Sequence, residues 1–292
     1  MQLRNRVALI TGGSQGIGKA IATAFAREGA MLFLVARSAG HLRRTAKELL
    51  PLSLRLHFMV ADVSDPADVR RIVRRAESVL GPVEILVNCA GVLGPVGPTY
   101  KANRRDWCGT IAINLLGPFY CIKEVLPGMV ERRRGKIINL AGGGATSPRQ
   151  NFSAYATAKA ALVRLTETVA REVEKSGVEI NAIAPGAVNT RMLDQVLAAG
   201  DRAGGEFAKA QKQKRQGGVP PERAAELAVF LASDHSNGLT GRLISAVYDD
   251  WASIPQRLKE IQTTDLYTLR RIDEKMAALL YPSPNLKHSA PQ

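Results

Sequence analysis

Arg6-Val7-Ala8-Leu9-Ile10-Thr11-Gly12-Gly13-Ser14-Gln15-Gly16-Ile17-Gly18 is the stretch that decides the fold. A short apolar run passes without a spacer into glycines. Behind them Lys19 to Gly29 carries alanines, Ile21 and Phe25 at helical spacing until Gly29 stops the pattern. That is strand, tight loop, helix. Glycines in such a loop let the backbone approach a pyrophosphate, whose charge is favoured by the free N–H groups opening the helix. A second apolar run, Met31 to Val35, follows, so the glycines sit in the setting of a dinucleotide site.

The end of that second run bears on the cofactor. A dinucleotide fold places an acid about 20 residues past the glycines to bind a ribose 2'-hydroxyl. Here the sequence is Val35-Ala36-Arg37-Ser38. Arg37 instead offers charge-assisted hydrogen bonds to a 2'-phosphate, which favours NADP(H), with NAD(H) as the alternative.

The remainder repeats the alternation. His57 to Val63 is the third strand and ends near Asp62; Pro66 to Leu80 is a helix with Asp65 at its start. Glu84 to Asn88 is a strand entering Cys89-Ala90-Gly91, and Asp106 to Arg134 is a long helical region, bent near Gly117-Pro118, that carries Asn114 in apolar company. Lys136 to Ala141, the helix Ser153 to Lys175 and the strand Gly177 to Gly186 complete the pattern, and no shorter internal repeat is present. Such alternation predicts right-handed crossovers and a parallel sheet covered on both faces. Ligands bind at the edge where such strands end, so the glycine loop, Asp62, Asn88, Tyr155 and Pro185 are expected to converge.

One pair in that set carries chemistry. Tyr155 and Lys159 stand four residues apart in an alanine-rich helix, hence on one face. A phenol has an unperturbed pKa of about 10, and a nearby ammonium lowers it toward use as an acid or base near neutrality. A YxxxK alone is more often a packed tyrosine and a surface lysine, and Asn114 alone is equally well a satisfied buried amide.

Composition narrows the class. With 46% hydrophobic residues the chain has material for a core, and no apolar run is long enough to span a membrane. The apolar start runs straight into glycines, too short for a signal-peptide core, so a cytoplasmic setting is inferred. Cys89, Cys108 and Cys121 are odd in number and lack metal-ligand spacing, which predicts reduced, mostly buried thiols and no metal site. The net charge of +14 includes Arg132-Arg133-Arg134 and the Lys209 to Arg215 run, neither interleaved with aromatics as a base-stacking surface would be. Neither nucleic acid nor a membrane is an expected partner; the field suits phosphate-bearing cofactors or acidic substrates.

From Leu3 to Val247 the chain resembles the short-chain dehydrogenase/reductase family. The residues that carry the resemblance, in order, are Thr11-Gly12-x-x-x-Gly16-Ile17-Gly18, Asp62-Val63, Asn88-Cys89-Ala90-Gly91, Asn114, Tyr155-x-x-x-Lys159 and Pro185-Gly186. The resemblance implies a single Rossmann-type doubly wound α/β sheet of about seven strands in residues 1–250, with a substrate loop at 187–218. It implies that the loop holding Gly12, Ser14, Gln15, Gly16, Ile17 and Gly18 cradles the cofactor beside Arg37. Asp62 and Val63 would hold the adenine, Asn88, Ala90 and Gly91 would support the nucleotide ribose, and Pro185, Gly186, Val188 and Thr190 would meet its carboxamide end. Tyr155 would be the acid/base. Lys159 would bind the nicotinamide ribose and lower the Tyr155 pKa, and Asn114 would position a water in a proton relay. The implied activity interconverts a carbonyl and a secondary alcohol, in a homodimer or homotetramer acting on a small molecule.

Two features depart from the family. Its carbonyl-polarising serine lies thirteen residues before the tyrosine, which here is Gly142. Losing one such donor costs about 100- to 1000-fold in rate, so compensation is required from Thr146, Ser147, Asn151, Ser153 or the backbone of Gly142-Gly143-Gly144. Otherwise the chain is a non-redox lyase or dehydratase, or a catalytically weak NADP(H)-binding sensor. The second departure is the extension 251–292. Leu258, Ile261, Leu266, Leu269, Ile272, Met276, Leu279 and Leu280 recur at helical steps, predicting one or two amphipathic helices over the substrate loop or a neighbouring subunit, with a frayed end past Pro282 and Pro284.

Overall fold

The computed structural model describes residues 1–53, 55–274 and 276. Seven parallel strands form one sheet: β1 (Val7–Thr11), β2 (Met31–Ala36), β3 (Leu56–Val60), β4 (Ile85–Asn88), β5 (Gly135–Leu140), β6 (Val178–Ala184) and β7 (Leu243–Ser245). Their spatial order is β3-β2-β1-β4-β5-β6-β7. The order reverses beside β1, and the crevice at that switch point is where a doubly wound sheet receives its ligand.

Ten helices connect or flank the strands: α1 (Gly16–Arg27), α2 (Ala39–Leu49), α3 (Pro66–Leu80), α4 (Arg104–Ile111), α5 (Gly117–Glu131), α6 (Ser153–Glu172), α7 (Arg191–Ala199), α8 (Gly205–Gln216), α9 (Pro221–Ala232) and α10 (Ile254–Thr263). Alternation along β1 explains the layering. Ala8 and Ile10 face a core shared with Ile21 and Phe25 of α1 and Leu227 of α9, whereas Val7 and Leu9 face Ile72 of α3 and Val125 of α5. Both faces of the central strands are therefore buried, as their unbroken apolar runs require.

Some expectations change. Helix α2 has no counterpart in the sequence reading, although Ser38 caps it by accepting from His41 N, and Leu42, Ala46 and Leu49 are buried at helical spacing. The region 104–131 is not one bent α-helix: a π-helical turn, Ala112–Leu116, separates α4 from α5. Cys121 is buried and Cys89 partly so, but Cys108 is exposed, so the expectation of mostly buried thiols fails there. Arg132-Arg133-Arg134 is tied down: Arg132 donates to Val83 O, Arg133 to Lys175 O, and Arg134 pairs with Glu84. None of the described helices is long and apolar enough to cross a membrane.

The extension also differs from expectation. Among its described residues only α10 is a helix of length, and residues 265–273 run as turns and irregular chain. Its described part lies neither on the substrate loop nor on an open face. Ile254 and Ile261 are buried in the core of α1 and α9, and Trp251 meets Phe230 with ring centroids 5.6 Å apart. Past α10, Leu243 N of the edge strand β7 donates to Tyr267 O, and Arg242 Nη1 donates to Thr264 O and Leu266 O. The expected apolar positions Leu279 and Leu280, and the prolines after them, lie outside the described residues.

Candidate active site

The glycine loop leaves β1 through residues whose backbone needs glycine. Gly12 has φ +68, and a Cβ there would stand 2.8 Å from Ala90 N and Cα. A Cβ on Gly18 would collide with Gly12 O. Thr11 fixes the neighbouring turn: its Oγ1 accepts from Cys89 N and Ala90 N, at 3.1 and 3.2 Å, and donates to Val87 O. Helices α2, α3, α4 and α7 have side-chain caps at their N-termini, but α1 has none and carries no acid in its first turn. Its opening N–H groups are thus left for an external anion, and the close approach of loop to strand fits a pyrophosphate. Gln15 and Gly16 are exposed there, whereas Ser14 is buried and its carbonyl accepts from Thr45 Oγ1.

On the adenine side of that crevice, Arg37 at the end of β2 is exposed and lies 3.8 Å from Asp62 past the end of β3. Asp62 Oδ1 accepts from Ser64 N and Oγ, so the carboxylate is held while its other oxygen faces the guanidinium. Val63 is a core residue: its Cγ2 would touch a Cβ on Gly117 at 2.8 Å.

Across the crevice the strand ends form a polar chain. Asn88 Nδ2 donates to Asn139 Oδ1 at 2.9 Å, and Asn139 Nδ2 donates to Thr166 Oγ1 at 2.9 Å. Asn88 Oδ1 is buried with no partner among the described residues, an orphaned acceptor at the nucleotide side of the sheet. Asn114 is fully buried in the π-helical turn. Its amide clamps the next loop by accepting from Val92 N at 2.9 Å and donating to Val92 O at 2.8 Å.

Gly91 gathers the rest. A Cβ placed there would lie 3.2 Å from Asn114 Oδ1, 3.5 Å from Met192 Cε and 3.9 Å from Lys159 Nζ. Thr190 caps α7 by accepting from Met192 N, and its methyl lies 3.5 Å from where a Cβ on Gly16 would be, so the 185–190 turn closes the far wall. Val188 is buried and bridges to Val219, Pro185 is buried, and Gly186 takes φ +81. Ile17, Ala90 and Gly91 are half-buried beside the same crevice.

Tyr155 and Lys159, one turn apart on α6, are both buried. Lys159 Nζ donates to Leu140 O at 2.6 Å and lies 5.7 Å from the centre of the Tyr155 ring. Burial lowers the ammonium to about 8. Burial also pushes the Tyr155 phenol above its ordinary value, and the cation that opposes this is Arg149. That differs from the expectation that Lys159 tunes the phenol: with Nζ turned to the β5 carbonyl, the nearby guanidinium exerts the opposing field.

Gly142 is explained by contact. A Cβ on it would lie 2.6 Å from Tyr155 Oη, so the phenol already occupies the room a serine would need. The hydroxyls considered as substitutes have these surroundings. Thr146 and Ser147 are exposed, and Ser153 Oγ accepts from Trp107 Nε1. Asn151 takes φ +67 and its carbonyl accepts from Gly97 N. Arg149 is the residue sequence reasoning missed. A single arginine in a loop of small and polar residues has no spacing signal, and only the folded chain brings it to 5.6 Å from the Tyr155 ring.

Comparison with known proteins shows the family and agrees with the fold. Residues 6–200 match the family model described as short chain dehydrogenase. The chain is similar to Oxidoreductase UcpA of Escherichia coli (strain K12), 38% identical over 263 residues, covering 87% of this chain and 97% of that protein. Among solved structures it is similar to NAD+-bound xylitol dehydrogenase, with TM-score 0.78 and 26% identity over 84% of this chain and 98% of that one. It is likewise similar to a variant of actinorhodin polyketide ketoreductase with NADPH, with TM-score 0.77 and 29% identity over 82% of this chain and 95% of that one.

Proposed function

The chain belongs to the short-chain dehydrogenase family of NAD(P)-dependent oxidoreductases, and we propose that it reduces a carbonyl to a secondary alcohol with NADP(H), using Tyr155 as the acid. The observation that carries this reading is the convergence of Asn114 Oδ1 and Lys159 Nζ on Gly91, beside the buried Tyr155 and facing the glycine loop. A bound dihydronicotinamide would supply the hydride. Its pyrophosphate would rest on the uncapped N-terminus of α1, and its ribose would meet Lys159 and the orphaned Asn88 Oδ1. Tyr155 Oη would donate a hydrogen bond and then its proton to the carbonyl oxygen. The burial that raises its pKa keeps the phenol protonated near neutrality, which suits reduction. Asn114 holds the loop at Val92 and so fixes the wall of the proton path.

Arg37 supports the 2'-phosphate reading: it is exposed just past β2, whose end carries no acid of its own, and its pairing with Asp62 at 3.8 Å holds the guanidinium beside the adenine side of the crevice. The exposed apolar side chains Leu116, Phe119 and Val130 on one helical region support assembly as a homodimer or homotetramer.

The test is NADPH consumption with a panel of aldehydes, ketones and oxo acids. Wild type is expected to turn over at least one class, Tyr155→Phe to lose about 100-fold or more in kcat, and Arg37→Asp to reverse the preference between NADPH and NADH. The glycine at 142 favours one second reading, non-redox proton transfer by the same tyrosine. Product formation without net NADPH consumption would establish that reading instead.

A further inference from the structure

Arg149 is restrained by two contacts, a stack and a hydrogen bond. Its guanidinium stacks on the ring of Phe152, with Cζ 4.2 Å from the ring centre, and Phe152 is fully buried. Its Nε donates to Glu206 Oε2 of α8 at 3.0 Å. Glu206 Oε1 accepts from Lys209 at 3.0 Å, so two cations share one carboxylate and the cluster keeps a net positive charge. Among the described residues neither Nη1 nor Nη2 makes a hydrogen bond. Nη1 stands 3.9 Å from the place a Cβ on Gly143 would take, so the free nitrogens border the glycine run that ends β5. Cζ itself is 5.6 Å from the centre of the Tyr155 ring.

An arginine held by Nε and by stacking, with both terminal nitrogens unused, presents the planar fork that matches a carboxylate. Fixing it in advance removes much of the entropy cost of binding. Glycines at 142 and 143 leave backbone, not side chain, along the path between that fork and the phenol. We propose that Arg149 determines substrate specificity, its terminal nitrogens binding a carboxylate carried a few bonds from the carbonyl that Tyr155 protonates. The substrate class is then the oxo acids. This inference rests on the reductase reading for its choice of reacting group, but the anion site does not depend on turnover.

Two measurements separate the claims. The first is kinetic: kcat/KM for 2-oxo and 3-oxo acids and for their methyl esters, in wild type, Arg149→Gln and Arg149→Lys. The preference for acid over ester is expected to fall about 100-fold in Arg149→Gln, with part of it restored in Arg149→Lys. An unchanged ratio, or a wild type that favours the esters, overturns the proposal and leaves Arg149 as a positioning group for the loop. The second is calorimetric titration of malonate into the enzyme with bound NADP+, where no reaction occurs. Wild type is expected to bind malonate at least about 10-fold more tightly than Arg149→Gln. Equal affinities overturn the anion site. A difference in malonate affinity together with no carbonyl reduction upholds the site and removes the reductase reading instead.

Discussion

A serine at position 142 cannot be added to this site without a shift beside Tyr155. The Cβ would meet Tyr155 Oη at 2.6 Å, and the phenol is buried, so relief requires the ring or the end of β5 to shift. Overpacking of this kind costs about 1–3 kcal/mol. Gly142→Ser is therefore expected to lower the urea midpoint and to cut kcat about 10-fold. A gain in kcat would show that Tyr155 gives way and that the hydroxyl was the missing part. Lys159 gives a pH test. Burial depresses its folded-state pKa from 10.5 to about 8. Below the lower value the ammonium is charged in both states, and the burial penalty is fully present. As pH rises from about 8 to 10.5 the unfolded chain holds a proton the folded chain has released, so stability increases, and above that range the penalty is gone. The gain is about 3 kcal/mol. Denaturation of wild type and Lys159→Met across that interval isolates it, because the other titrating groups are common to both: wild type should gain relative to the variant. Parallel curves would mean that Leu140 O and the cleft solvate the ammonium almost as well as water does.

At the scale of elements, the π-helical turn Ala112–Leu116 puts a fully buried amide where an unbroken helix would carry its register past the loop. Extra backbone width at such a turn re-aims one side chain, and here that side chain serves both backbone groups of Val92. Asn114→Ala leaves a partly buried N–H and C=O of Val92 without their partner, with an expected loss of about 1–3 kcal/mol in urea denaturation. Asn114→Asp can still accept from Val92 N but presents a carboxylate oxygen to Val92 O, so it should not recover the loss. The sequence carried Asn114, because an asparagine among Ile111, Leu115 and Phe119 stands out, but not the π-helical turn, which has no residue signature. The glycine loop, the alternation of strands with helices and the helix Pro66–Leu80 were legible for a different reason: their signals are local, a run, a turn or a cap. Helix α2 was equally local, with Ser38 as cap and Leu42, Ala46 and Leu49 in step, and the signal was masked by the charged residues between them. The charged pair beside the Tyr155 ring had no such signal. Arg149 reaches the phenol through a loop, and Glu206 comes from a helix beyond the next strand.

On the scale of the whole molecule, a seven-stranded parallel sheet leaves two edges, and this chain treats them differently. At β3 the edge strand exposes Phe58 and Val60, whereas β7 is overlaid by the chain after α10. An unpaired strand edge is a template for pairing with other chains, and covering it with backbone from the same molecule removes that hazard. The periodicity of Leu258, Ile261, Leu266 and Leu269 was a sound sign of burial but a poor guide to form. A helix supplies Leu258 and Ile261, while Leu266 and Leu269 reach their cores from irregular chain anchored by Arg242 and Glu167. If this cover belongs to the same cooperative unit as the dinucleotide fold, cutting one of its deep anchors should weaken the whole. Ile261 is fully buried against the layer that contains α1 and α9. Ile261→Ala is expected to cost about 2–4 kcal/mol and Ile261→Val about 1 kcal/mol, each in a single transition seen alike by far-UV circular dichroism and tryptophan fluorescence. Trp251 lies on the cover and Trp107 donates to Ser153 at the start of α6, two residues from Tyr155, so the fluorescence reports both regions. A loss within about 0.5 kcal/mol, or an early fluorescence step ahead of the circular dichroism, would mark residues 251–274 as a separate appendage that melts without disturbing the sheet.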